Sequence, residues 1–230
     1  MNSEQEVVKS RATGYASPSI RARRYRILDE ARRMIGEVGL ANLSMDEVAC
    51  RAGVAKRTLY NAFESKERLV AAAINKYFQD YAERLTFASE EATLEWVIER
   101  LTVVGRRNMA IRNYIRALMN IYHAHDIDPT IRSAIHTIAA DSHGPWIRSL
   151  EKKRQLQPWV DADELVNALV RYRYATAHAW AEGLITDNVF LHTLICGLLT
   201  FVAGATRGAA RKEIEQTLLT LRDHPRLKGD

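Results

Sequence analysis

Between Cys50 and Leu69 the chain reads CRAGVAKRTLYNAFESKERL, and several of its side chains could do chemistry on an anion. Lys56 and Arg57 are cations, Thr58 carries a hydroxyl, Tyr60 a phenol and Asn61 an amide, all within six positions. Cations suit phosphates and guanine edges, while hydroxyl and amide groups reach backbone oxygens and bases. Lys66 follows in a Ser-Lys-Glu helix opening, where the ammonium and the helix N-terminus both favour a phosphate. Ser44 opens the preceding helix in the same way. On an ordinary solvated face these residues would do nothing of the kind, so the scaffold decides.

The scaffold is legible from spacing. A helix starting near Ile20 carries Ile27, Leu28, Ala31, Ile35 and Val38 at three- and four-residue steps, one apolar stripe ended by Gly39. Ser44 and Glu47 form a capping box for a short helix through Val48, Ala49 and Ala52, which stops at Gly53. A second short helix spans roughly Lys56 to Phe63, and Ser65 caps a long fourth helix through Leu69, Ala72, Ala73, Tyr77 and Tyr81. Two short helices about a glycine turn, behind a supporting helix, make a helix-turn-helix over about residues 44–63. Leu59 then turns inward toward Ala49 and Ile35, and Lys56, Arg57, Thr58, Tyr60 and Asn61 face outward. Upstream, Arg21, Arg23, Arg24 and Arg26 could track phosphates or let an arm reach a minor groove.

Charge agrees with that placement. Residues 1–63 hold 11 Lys/Arg against 7 Asp/Glu, whereas residues 64–230 hold 22 against 21, so the net +5 sits almost wholly in the first quarter of the chain. A local basic surface suits a polyanion, and a nearly neutral remainder argues against charge-driven membrane coating.

The rest of the chain reads as helices, giving an all-α fold. Expected spans are 89–104, 107–124, 129–153, 162–182, 188–206 and 209–222. Asp128-Pro129 and Asp161 with Glu164 are helix starts, Gly183 is a stop, and Gly144-Pro145 is expected to kink or split the 129–153 helix. Residues 1–19 read as a flexible arm, 20–84 as the helix-turn-helix domain and 85–230 as a larger helical domain. Cys50 and Cys196 have no metal or disulfide spacing and are expected to be buried thiols. The polar N-terminus lacks the apolar core of a secretory signal, and the run Val189–Ala205 reads as a buried helix, so the expected compartment is the cytoplasm, with no membrane partner.

From about Arg24 to Leu69 the chain resembles the N-terminal domain of the tetracycline-repressor (TetR) family of bacterial regulators. The resemblance is carried by ILDEARRMIGEVGLANLSMDEVACRAGVAKRTLYNAFESKERL, with its Ala-Gly-Val turn, Thr-Leu-Tyr recognition-helix core, Phe63 and Ser-Lys-Glu at the family's spacing. It implies that Thr58, Tyr60, Asn61 and Lys66 contact DNA, largely its backbone, with Lys56 and Arg57 near base edges. It implies a homodimer through the helices at about 162–182 and 188–206, a near-palindromic double-stranded operator and a small-molecule effector held in the C-terminal half. Ala55 departs from the family's usual Ser and removes an N-cap worth ~1 kcal/mol. Arg57 replaces a common small residue and adds a cation.

The C-terminal half carries no motif of its own. Its aromatic and cationic residues define a pocket region in which Trp96, Tyr114, Arg116, Tyr122, Trp146, Arg173, Tyr174 and His178 are candidates, although aromatics at helical spacing more often build core. In HAHDIDP, His123 to Pro129, the His and Asp residues lack metal-ligand spacing and read as a solvated loop, so no metal or other cofactor is expected. No phosphate-binding Gly loop, nucleophile elbow or acid–base pair marks an enzyme. The remaining alternative is a helical adaptor that uses its helix-turn-helix for protein contacts and has no operator.

Overall fold

The computed structural model describes residues 18–223, and over these the chain is helical throughout. The elements are α1 (Pro18–Val38), α2 (Met45–Arg51), α3 (Lys56–Phe63), α4 (Lys66–Ala82), α5 (Leu94–Ala110), α6 (Arg112–His123), α7 (Pro129–Lys152), α8 (Ala162–Ala181), α9 (Asp187–Ala205) and α10 (Gly208–Asp223). Residues 1–17 of the expected arm lie outside the described residues, and the arm's last two positions already belong to α1.

Local chemistry explains most helix ends. Gly39 (φ +76°), Gly53 (φ +64°) and Gly183 (φ +83°) take left-handed conformations just past α1, α2 and α8, where a Cβ would be strained. Asp128 accepts from Thr130 N at 2.7 Å with Pro129 at the first helical position, and Asp161 accepts from Glu164 N at 2.8 Å. Half of the expected capping box at α2 is present. Ser44 Oγ accepts from Glu47 N at 3.5 Å, but the Glu47 carboxylate is taken by Arg51 Nε at 2.9 Å instead of reaching back.

Three helix readings need correction. The helix expected from residue 89 starts at Leu94, because Thr93 caps it by accepting from Trp96 N and Ala92 stands at φ +63°. That helix continues past 104 to Ala110. Gly105 is no break: a Cβ there would come within 2.2 Å of Leu191 Cδ2, so the glycine admits α9. Pro145 does not split α7, which is unbroken from Pro129 to Lys152. Two burial readings also fail. Cys50 is exposed because Val48, Ala49 and Ala52 already fill the inward face of α2, and Val38 is 41% exposed at the end of the α1 stripe. Cys196 is half-buried, with its Sγ 3.5 Å from His192 Nε2.

Packing forms two apolar clusters. One joins Ile35, Val48, Ala49, Leu59, Phe63 and Leu69 to Tyr114, Leu118, Ile135, Trp180 and Phe190, so the core of α1–α4 runs without a gap into α6–α9. The other fills the far end around Trp96, Leu101, Trp146, Leu169, Leu198 and Ile214. Among the described residues, α9 is the one helix long and apolar enough to cross a membrane by composition alone. Its Phe190, Leu194, Ile195, Leu198, Leu199 and Val202 are buried against α5, α8 and α10.

Candidate nucleic-acid interface and regulatory cavity

The α2–α3 turn is held by its own backbone. Ala52 N donates to Val48 O at 2.9 Å, Gly53 N to Cys50 O at 3.1 Å and Val54 N to Ala49 O at 3.0 Å. Ala55 opens α3 with no side-chain cap. Leu59 is fully buried and Phe63 nearly so, and this pair fixes the rotation of α3. With that face inward, Lys56, Arg57, Tyr60 and Asn61 are exposed and Thr58 is half-buried; Tyr60 shows 41% of its surface. Five residues singled out by spacing therefore share the outer side of one two-turn helix.

Neighbouring charges modify this face. Lys56 Nζ lies 2.7 Å from Asp46 Oδ2 on α2, an exposed ion pair that pushes the lysine pKa up, chiefly through the hydrogen bond to Asp46. Arg51 binds Glu37 at 2.6 Å and Glu47 at 2.9 Å, tying α2 to α1. Between α3 and α4 the chain makes a tight γ-turn: Glu64 sits at φ 63°, ψ −49°, and Ser65 N reaches Phe63 O at 2.6 Å. Ser65 then caps α4 by accepting from Arg68 N at 3.2 Å. Lys66 occupies the first position of α4 and extends toward the Ala41 carbonyl at 3.5 Å. Ser44, at the start of α2, is exposed.

Arg24 does not join the outward cations. Its Nη1 donates to the Ala62 carbonyl at 3.2 Å and its guanidinium covers the Phe63 ring at 4.3 Å, so it caps the C-terminal end of α3. Sequence spacing gave no sign of this contact, which joins residues 38 apart.

The eight pocket candidates do not converge on one place. Arg173 and Tyr174 line a small enclosed cavity of about 30 Å³ between α4, α5, α6, α7, α8 and α9. Trp96 and Trp146 are buried in the far apolar cluster. Tyr114 is buried against Tyr77 and Phe78, Tyr122 binds His136 Nδ1 at 3.0 Å, and His178 stacks on His123 with ring centroids 5.2 Å apart. Arg116 donates to the Ala181 carbonyl at 2.7 Å and borders an open cleft of about 1150 Å³ that also takes in Lys66, Asn113, Asn120 and Asp126. Sequence reading missed the apolar lining of the enclosed cavity, including Phe78, Leu101, Met119 and Phe190, because such residues look like any core position. It also missed Arg100, whose guanidinium lies over the rings of Trp96 at 5.1 Å and Phe87 at 5.6 Å.

Comparison with known proteins gives this geometry a context. Residues 27–73 match the family model described as bacterial regulatory proteins, tetR family. No curated protein matches the chain. A tetR-family transcriptional regulator from Streptomyces coelicolor superimposes with a TM-score of 0.60 at 18% identity, covering 89% of this chain and 90% of that one. TylP, a tetR regulator from Streptomyces fradiae, gives 0.59 at 18% identity over 90% of this chain and 98% of its own. FadR of Thermus thermophilus, a TetR-family repressor solved with lauroyl-CoA, gives 0.57 at 17% identity over 81% and 97%. At these identities the structural likeness speaks for the fold, and the sequence match for the helix-turn-helix. Residues 27–73 thus carry the N-terminal signature of the tetR family of bacterial regulatory proteins, and the chain shares the fold of regulators solved from that family.

Proposed function

We propose that the protein is a sequence-specific transcriptional repressor in the cytoplasm, bound to a near-palindromic operator as a homodimer and released by a small molecule. The observation that carries this reading is the outer face of α3, where Lys56, Arg57, Thr58, Tyr60 and Asn61 stand together while Leu59 and Phe63 anchor the helix. On a major groove, Lys56 and Arg57 meet base edges, and Thr58, Tyr60 and Asn61 meet the backbone. Lys66 at the start of α4 and Ser44 at the start of α2 add phosphate contacts.

Dimerisation runs through α8 and α9. Their outer sides carry exposed Ala175, Phe201 and Gly204 beside half-buried Ala168, Tyr172 and Gly197, an apolar and small-residue surface that admits close helix approach. Two-fold symmetry then supplies two recognition helices about 34–36 Å apart on one DNA face. Effector action needs a rigid link between cavity and DNA, and α4 supports one. Phe78 borders the enclosed cavity while Lys66 lies twelve residues, about 18 Å, away on the same helix. A tenfold loss of operator affinity requires only ~1.4 kcal/mol of coupling along it.

The test is fluorescence anisotropy on DNA from upstream of the protein's own gene, against scrambled DNA, over a salt series. Tight binding selective for the native fragment and weakening as salt rises supports the reading. Equal, salt-insensitive binding to both fragments overturns it in favour of a protein-binding adaptor.

A further inference from the structure

Four buried side-chain polar atoms among the described residues have no hydrogen-bond partner, and three belong to basic groups of the regulatory half: Arg100 Nε, His143 Nδ1 and Arg173 Nη1. Arg173 on α8 is 6% exposed and His143 on α7 is fully buried. The charge of Arg173 bears on His143 and that of Arg100 on Arg173, so the three share one electrostatic neighbourhood. Burial pulls all three toward the uncharged form; like charge adds to this for His143, held down at about 4, and for Arg173, whereas Asp141 and Glu91 partly offset it for Arg100. No carboxylate among the described residues pairs with Arg173. An uncompensated buried guanidinium is among the costliest things a fold can hold, because it forfeits hydration and gains no partner.

Arg173 borders the enclosed cavity, and the rest of that lining is overwhelmingly apolar: Leu101, Leu118, Met119, Ile135 and Phe190 all face it. Tyr174 brings no second anchor, since its hydroxyl already donates to the Ile135 carbonyl. Because no acid lines it, the cavity has one charged group, one neutral amide in Asn108 and an otherwise oily wall. Its volume of about 30 Å³ accommodates roughly two water-sized groups, which suits a planar carboxylate headgroup. Any attached body must part the lining, and a thioether such as Met119 yields readily.

Building on the reading of this half as an effector domain, we propose that the effector is an organic monocarboxylate, its headgroup taken in a forked contact by Arg173 and its apolar body lodged among Leu118, Met119 and Phe190. The planar guanidinium matches a carboxylate bidentately, whereas an alcohol or amide leaves the charge unbalanced. Arg100 adds positive potential to the site, and His143 remains a neutral imidazole beside it.

The experiment is thermal unfolding of the full-length protein with octanoate, decanoate and phenylacetate, each compared with its alcohol. Alongside the wild type it uses Arg173→Met, which keeps the length of the stem and removes the charge. Expected for the wild type is a Tm rise of about 5–10 °C with at least one acid at a hundredfold excess over its Kd, and little from the alcohol. Arg173→Met should melt higher than the unliganded wild type, since it deletes the unpaired charge, and should lose the response to acids. Equal effects of acid and alcohol on the wild type, no effect of any acid, or an undiminished acid response in a folded Arg173→Met would each overturn the proposal. Should Arg173→Met fail to fold, the acid-versus-alcohol comparison on the wild type still decides. Operator anisotropy run in parallel separates the two levels: selective DNA binding that no acid perturbs sinks the carboxylate effector and spares the regulator, whereas failure to bind DNA selectively sinks the regulator.

Discussion

Lys56 of α3 and Asp46 of α2 are joined by a 2.7 Å ion pair that crosses the helix-turn-helix on its solvent side. Both side chains are about 60% exposed, so the pair adds little to stability, but it masks one cation of the face proposed to meet DNA. Asp46→Asn should therefore leave the melting temperature nearly unchanged and tighten DNA binding. It should also steepen the slope of log K against log salt, because the face loses a negative charge that opposes the DNA polyanion. Titrations of both proteins from low to high salt would check this. An unchanged affinity and slope would mean that Lys56 does not approach the DNA.

Tyr60→Phe and Lys66→Ala should weaken binding on every DNA sequence alike. Tyr60 stands outward at 41% exposure and Lys66 at the head of α4, places suited to phosphate oxygens, which carry no sequence information. Losses of several-fold, equal on operator and scrambled DNA, are expected from competition titrations. A changed base preference in either variant would assign that residue to base reading instead.

The helix-turn-helix was legible because its signals are local. Gly53 must turn the chain with positive φ, Ser65 must accept from the next turn, and Leu59 with Phe63 sets the outward face of α3 by its burial. What escaped depends on residues far apart in the chain. Arg24 reads as a free cation until Phe63 and the Ala62 carbonyl come beneath it. The helix expected to end at 104 runs on through Gly105, whose bare Cα makes room for Leu191 of α9. Likewise Trp96 and Trp146 look like pocket aromatics, yet they fill the far core, and nothing local distinguishes them from Arg173 on the cavity wall.

Phe201 offers a test of the proposed dimer. It is half exposed on the outer side of α9, against Tyr172 with ring centroids 5.3 Å apart. Phe201→Glu should leave helical content unchanged, because the ring contributes little to the monomer's core, yet shift the protein to monomer in sedimentation velocity at micromolar concentration. Operator binding should fall with it, since one recognition helix alone spans half a site. A variant that remained dimeric would locate the interface elsewhere.

His143 provides the last prediction, through pH. Its ring is fully buried on α7, Nε2 lies 3.3 Å from the Val166 carbonyl, and burial together with the Arg173 charge holds its pKa near 4, well below the ordinary 6.5. The folded protein thus keeps the imidazole neutral at pH values where the unfolded chain protonates it. Between about 6.5 and 4 the unfolded state binds more protons, so stability must fall as pH falls through that window, and above it the group contributes no pH dependence. A displacement of this size corresponds to roughly 3–4 kcal/mol across the whole window, of which the interval from pH 7 to pH 4.5 takes in about 2–3 kcal/mol. Urea unfolding of the wild type and of His143→Gln at pH 7 and pH 4.5 isolates the contribution, because other carboxylates and histidines titrate equally in both proteins. The variant's loss on acidification should be smaller by about 2–3 kcal/mol. Equal losses would show that His143 is already solvated and protonated in the folded state, and that its neighbourhood with Arg173 is wetter than its burial indicates.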